Sequence, residues 1–215
     1  LHRLVVLLHY PQLRASSQAQ TFGLPGRASH YQQHRTRMRY LVIGTSGAGK
    51  STFAKKLACK VQASYIELDS HYWGPDWQAV PPEQFKHSVV EATQGECWVA
   101  DGNYSAVRDL LWSRATHVVW LNYSRFTVFS RLLRRTLGDG ITRKHLSHGN
   151  RESLRMAFFS KDSVLLWSLS TYAKNQSKFA TLRERGEFAH LQWIEFSEPS
   201  EASKFLKTIA ASQER

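Results

Sequence analysis

Apolar and polar positions along this chain alternate in short runs separated by longer helical patterns, and the regular patterning begins near residue 38. Met38-Arg39-Tyr40 opens an apolar run through Leu41, Val42 and Ile43 that reads as a first strand, and Phe53 to Lys60 reads as a helix. Ser64 to Asp69 alternates as a second strand that ends in an acid and runs into the turn-rich stretch SHYWGPDW. Pro81-Pro82 opens another helix, with Phe85, Val89, Val90 and Ala92 at helical spacing. Cys97 to Asp101 is a third strand, again with an acid at its end; His117 to Leu121 is a fourth and Leu191 to Phe196 a fifth. Helical patterns separate most of these strands, which predicts an α/β chain with a parallel sheet covered by helices. In such sheets ligands sit at the carboxyl ends of the strands. Asp69, Asp101 and the segment after the first strand are therefore expected to share one edge.

That segment carries the most specific chemistry in the sequence. Gly44-Thr45-Ser46-Gly47-Ala48-Gly49-Lys50-Ser51 satisfies G-x-x-x-x-G-K-[ST], with β-branched residues before it and a helical pattern after it. Glycines let the backbone curl so that successive N–H groups point inward at a helix N-terminus, where the helix dipole favours an anion. A lysine at position 50 then neutralises β- and γ-phosphates, and a hydroxyl at position 51 can ligate Mg²⁺. The bland alternative is a glycine turn beside a solvated lysine. The nucleotide-binding set expected from the pattern is Gly44, Ser46, Gly47, Ala48, Gly49, Lys50, Ser51 and Thr52.

A lone aspartate at a strand end is often only a turn or helix cap, but two of them beside Ser51 change the weighing. Asp101, followed by Gly102-Asn103, resembles the metal-side acid of a Walker B strand and pairs with Ser51 as the expected metal site. Asp69 is the candidate base facing the acceptor. Trp73 and Trp77 could stack on a ring there or simply plug the core, and Arg108 is a candidate anchor for an anion on the acceptor.

Charge alters the picture in two places. The net charge is +12, and residues 1–37 contribute five arginines and no acid. That segment is rich in Gln and Ser and lacks sustained periodicity. It reads as a flexible N-terminal extension to a domain spanning 38–215, with an organelle-targeting segment as the alternative. Between Ser124 and Phe179 lie eleven Lys and Arg against three acids. Arg131, Arg134 and Arg135 fall at i, i+3 and i+4 and share one helical face, while Phe129, Leu132, Leu133 and Leu137 pack elsewhere. Gly138-Asp139-Gly140 is expected to break that helix and act as a hinge. Arginine suits a transferring phosphoryl group because its planar fork donates two bonds at once; the bland alternative is a solvated helix face.

With 42% apolar residues the chain is globular, and its two cysteines offer neither a metal-ligand spacing nor a disulfide framework, which fits a reducing cytosol. No apolar run has the length of a membrane span, so no membrane partner and a cytoplasmic location are expected.

Taken together, GTSGAGKST, LDSHYW, DGNYS followed by VRDLLW, VVWLNYSRFTVFSRLLRR, GNRESL and SVLLW resemble, in order, the adenylate-kinase-like small P-loop kinases. Within them the closest likeness is to the bacterial kinase-related group labelled "DNA topology modulation protein". The resemblance implies a P-loop NTPase three-layer sandwich with a five-stranded parallel sheet and a mobile, helical, arginine-rich lid over residues 125–180. It implies ATP with Mg²⁺ as phosphate donor. By position, Gly49, Lys50, Ser51 and Thr52 would hold phosphate and metal, Arg131 and Arg135 would be lid-side arginines that serve catalysis with Lys50 and Asp69, Arg131 would also touch the nucleotide, and Ser197-Glu198-Pro199 would flank the adenine. The loop ends in GKST where adenylate kinases typically have GKGT, and their AMP-binding TGDLR-type segment has no counterpart, so AMP is not implied as acceptor.

The leading expectation is an ATP-dependent phosphotransferase acting on a small molecule, nucleotide- or nucleoside-like among the options. Its rival is a nucleotide-dependent DNA-associated regulator whose basic segment contacts the phosphate backbone; no helix-turn-helix, zinc finger or basic zipper is legible. A mechanical ATPase lacks the sensor or repeat segments that would couple hydrolysis to motion.

Overall fold

Every second residue of a strand points to the same face, and the apolar runs of this chain are long enough to cover both faces of a sheet at once. The structure, a computed structural model, describes residues 37–142 and 164–213. Five strands, β1 (Met38–Gly44), β2 (Ser64–Glu67), β3 (Cys97–Asp101), β4 (His117–Leu121) and β5 (Gln192–Phe196), form one sheet in the order β2-β3-β1-β4-β5, with every pair parallel. The helices are α1 (Lys50–Lys60), α2 (Leu68–Tyr72), α3 (Pro82–Ala92), α4 (Arg108–Arg114), α5 (Arg125–Thr142), α6 (Val164–Arg185) and α7 (Pro199–Gln213). None among the described residues is long and apolar enough to cross a membrane.

The sheet divides the core into two layers. Tyr40 and Val42 of β1, with Val99 and Val119, pack against Phe53, Ala54 and Leu57 of α1 and Ala202 and Leu206 of α7. Leu41 and Ile43, one residue out of phase, pack with Trp98, Val118 and Trp120 against Phe85 and Val89 of α3, Leu111 and Trp112 of α4, and Phe179 of α6. Central β1 therefore sends its chain to one face, while the chain leaving β3 passes to the other. The carboxyl edge opens at such a change of side.

Two expectations are corrected here. β2 stops at Glu67, and Leu68–Tyr72 turns into the short helix α2, so Asp69 lies in a first helical turn rather than at a strand end. Leu68 is buried, and its side chain fills the space over Gly102, which pulls the chain out of the sheet at that point. The second correction is that α5 runs through Gly138-Asp139-Gly140 to Thr142 without a break. Glycine inside a helix costs only about 0.5–1 kcal/mol, which the packing of this helix outweighs. The extension and the middle of the expected lid, 143–163, lie outside the described residues; Arg37, at the boundary, pairs with Glu96 at 2.6 Å.

Candidate functional site

The loop between β1 and α1 depends on glycine where a side chain would collide. Gly47 sits at φ 87°, and a Cβ there would come within 2.9 Å of Leu132 Cβ and 3.0 Å of the Val128 carbonyl. The loop is thus seated directly on α5, whose Val128 and Leu132 are buried beneath it. Both neighbours belong to the helix core and cannot yield, so Gly47→Ala is expected to cost about 2–3 kcal/mol and to lower the thermal midpoint by roughly 4–10 °C. Thermal denaturation followed by circular dichroism checks this.

Gly49, at φ 92°, ends the loop as the residue preceding α1, and no side chain caps that helix. The first turn also contains no acid. The N–H groups of a helix's first turn lack intrahelical partners and carry its positive dipole end, so this turn can receive an anion. Lys50 folds back over the loop, its Nζ 3.4 Å from the Thr45 carbonyl. Burial lowers its pKa most, Asp101 and Asp69 pull it back up, and Arg135 lowers it further. The ammonium is thus held near two carboxylates and one guanidinium, in a place that favours additional negative charge.

Ser51, one residue on, donates a 2.6 Å hydrogen bond to Asp101 Oδ2, and Tyr65 of β2 donates a 2.9 Å bond to Oδ1. The strands explain the meeting: Glu67 pairs with Asp101 in register, so Tyr65, two residues back, shares its face, and the long phenol reaches along the strand. Asp101 is only 4% exposed; burial raises its pKa, while the bonds from Ser51 and Tyr65 and the nearby Lys50 oppose the rise. All the donor atoms here are hard oxygens. No group of three or more His, Cys, Asp or Glu able to hold a metal occurs among the described residues. One hydroxyl and one carboxylate suit Mg²⁺, which binds through one or two carboxylates and takes its other ligands from water and phosphate.

A carboxyl whose folded pKa is raised contributes stability below its unfolded pKa and loses that contribution as pH rises through the folded value. Asp101→Asn, which keeps the shape and removes the charge, is therefore expected to hold or raise the thermal midpoint at neutral pH, by up to about 4 °C. A drop of similar size would show that the ionised carboxylate holds the fold together.

Asp69, whose charge also acts on Lys50, accepts a 2.7 Å bond at Oδ1 from the Tyr104 hydroxyl. Asn103 Nδ2 donates to the Gly44 carbonyl at 2.7 Å, which ties the β3–α4 connection to the start of the glycine loop. Trp73 and Trp77 meet edge to face at 5.9 Å, and Trp73 abuts Tyr72, which contacts Phe85 and Tyr104. Trp77 remains 37% exposed. Arg108 lines a pocket with Asn103, Tyr104 and Lys178.

Of Arg131, Arg134 and Arg135 on α5, the structure brings Arg131 to the loop. Arg131 Nη1 donates to the Ala48 carbonyl at 3.0 Å, its guanidinium lies 5.3 Å from the centre of the Tyr123 ring, and a Cβ on Gly49 would touch it at 3.3 Å. Arg135, one turn on, is exposed like Arg134, yet its positive charge lowers the Lys50 pKa. Ser197-Glu198-Pro199 follows β5 on the same edge, where the backbone N–H groups of Ser197 and Glu198 are bound by Glu201 Oε2 at 2.8 and 3.1 Å.

Sequence reasoning gave Tyr65, Tyr123, Tyr104 and Asn103 no role and placed Lys178 only within the basic block. Strand parity was the available signal for Tyr65; the others depend on contacts made across the fold. No protein-family model matches the chain, and no curated protein matches it in sequence.

Proposed function

We propose that the chain is a P-loop kinase that transfers the γ-phosphoryl group of ATP to a small-molecule acceptor. The observation that carries this reading is the meeting of the uncapped start of α1, Lys50, and the Ser51–Asp101 pair at one mouth of a parallel sheet. The five-stranded parallel sheet agrees with the resemblance to adenylate-kinase-like small P-loop kinases. In this reading the loop N–H groups and Lys50 hold the β- and γ-phosphates, and Ser46, Gly47, Ala48 and Thr52 complete the cradle. Ser51 and Asp101 hold Mg²⁺, which when bound neutralises charge on the phosphate oxygens.

Asp69 faces the acceptor side and takes the proton of the attacking hydroxyl. The acceptor oxygen forms a bond to the γ-phosphorus as the bond from that phosphorus to the β–γ bridging oxygen breaks, and the electron pair leaves with ADP. Tyr104, donating to Asp69, orients the carboxylate. Arg131 and Arg135 spread the charge of the phosphoryl group in flight. Such chemistry consists mainly of positioning and charge neutralisation.

A titration of ATP with and without Mg²⁺ tests the donor half of the proposal. ATP is expected to bind more tightly with Mg²⁺, and that preference is expected to vanish in Asp101→Asn. Equal affinity with and without the metal in the unaltered protein would count against Ser51 and Asp101 as the metal pair. Because Asp101 has a raised pKa, the preference should weaken on acidification at a higher pH than the ordinary aspartate value of about 3.9 implies.

A further inference from the structure

One bond at the Ser51–Asp101 pair takes no part in the proposed phosphoryl transfer. Tyr65 of β2 donates its hydroxyl to Asp101 Oδ1 at 2.9 Å, while Ser51 donates to the other oxygen, Oδ2, at 2.6 Å. Three elements bring these groups together. Ser51 lies in the first turn of α1, Tyr65 pairs with Val99 in the register of β2 and β3, and Asp101 stands two residues beyond Val99. The period of two along a strand then puts the phenol and the carboxylate on one face of the sheet, the face that α1 covers.

The Tyr65 ring is held on two sides. It packs against the core between the sheet and α1, and Lys55, one helical turn after Ser51, sets its Nζ 5.2 Å from the ring centre. The same ammonium stands 4.0 Å from Glu67 Oε2, two residues on in β2, so the cation is tied to the strand that carries the ring. Burial and the charge of Asp101 raise the Tyr65 pKa, which keeps the proton on the phenol at neutral pH and makes it a donor to the carboxylate. Packing at this position asks only for a ring. The hydroxyl answers to Asp101.

A carboxylate tethered by one oxygen still turns about its Cβ–Cγ bond, because that torsion is broad. A second tether on the other oxygen fixes its plane. The ionised group keeps lone pairs free beyond the two bonds it accepts, and Mg²⁺ demands near-ideal octahedral geometry of the oxygens around it. Removing a partner that fixes a metal-side carboxylate in this way lowers metal affinity by about 10- to 100-fold.

We infer that Tyr65 is a positioning residue of the metal site, its hydroxyl holding the Asp101 carboxylate in the plane that Mg²⁺ bound with ATP requires. This rests on the kinase reading of the same cleft.

Calorimetric titration of the full chain with ATP at stepped Mg²⁺ concentrations, and with the metal chelated, tests the inference in the unaltered protein, Tyr65→Phe and Tyr65→Leu. Tyr65→Phe removes only the hydroxyl. It is expected to raise the Mg²⁺ concentration that half-saturates the ATP-bound chain by about 10-fold or more, and to change the affinity for metal-free ATP by less than about twofold. Tyr65→Leu should give the same metal shift with a lower thermal midpoint, because it also removes the ring. The inference is overturned if Tyr65→Phe keeps the metal affinity of the unaltered protein, whether or not Tyr65→Leu loses it, since packing and not the hydroxyl would then be at work. It is equally overturned if Tyr65→Phe weakens ATP alike with and without Mg²⁺, the mark of a merely structural role. Either result leaves the kinase reading standing. Absence of any Mg²⁺ preference in the unaltered protein would instead remove Ser51 and Asp101 as the metal pair, and this inference with them.

Discussion

Lys50→Met is expected to reduce phosphoryl transfer by about 1000-fold or more, close to 4 kcal/mol of lost transition-state stabilisation. The side chain leans over the glycine loop and binds only the Thr45 carbonyl, at 3.4 Å, so the substitution removes charge from the site without opening the core. Its effect on stability should have the opposite sign. Burial lowers the Lys50 pKa, so the folded chain holds that proton less tightly than the unfolded chain does. The charge thus opposes folding below the folded pKa, and the opposition fades as pH rises through that value. Met has nearly the same length and no charge, so the thermal midpoint should stay level or rise at neutral pH. Activity with the best acceptor, measured alongside thermal denaturation, checks both halves. Wild-type activity in the variant would remove the glycine loop from the reaction.

Arg131→Ala is expected to lower kcat by about 100- to 1000-fold, with a much smaller change in ATP affinity. Arg131 reaches the loop from α5 and binds the Ala48 carbonyl at 3.0 Å beside Gly49, which puts its fork at the loop where the proposed function places the phosphates. Its aromatic neighbour Tyr123 limits its swing. Arg131→Lys should not restore the rate, because an ammonium cannot donate in parallel to two oxygens. Arg135→Ala should act in the same direction. The DNA-associated rival makes the opposite forecast: each substitution would weaken DNA binding by a similar step and flatten its salt dependence, with ATP turnover unchanged. Steady-state kinetics and DNA titrations at several salt concentrations, on the same variants, separate the two.

Strands whose residues are buried on both faces were the most legible part of the sequence. Val118, Val119 and Trp120 of β4 read as an apolar run because α-helical layers cover both sides, and β1 and β3 follow the same logic. The glycine loop was legible because its spacing is a local property of eight residues. The end of β2 was not: alternation continues through Leu68 and Asp69, and only the packing of Leu68 over Gly102 stops the strand. Gly138 and Gly140 gave a false stop because the helical cost of glycine is small beside the burial of Val128 and Leu132 on the same helix. Partners such as Tyr65 for Asp101 and Lys178 beside Arg108 come from 36 and 70 residues away, where no local pattern connects them.

The most direct test of the account is transfer of label from [γ-³²P]ATP to a panel of nucleosides, nucleotides and sugar phosphates. The account predicts that label appears on a small molecule, requires Mg²⁺, and disappears in Lys50→Met. ATP binding with no label on any small molecule, together with DNA affinity that responds to the bound nucleotide, would contradict it.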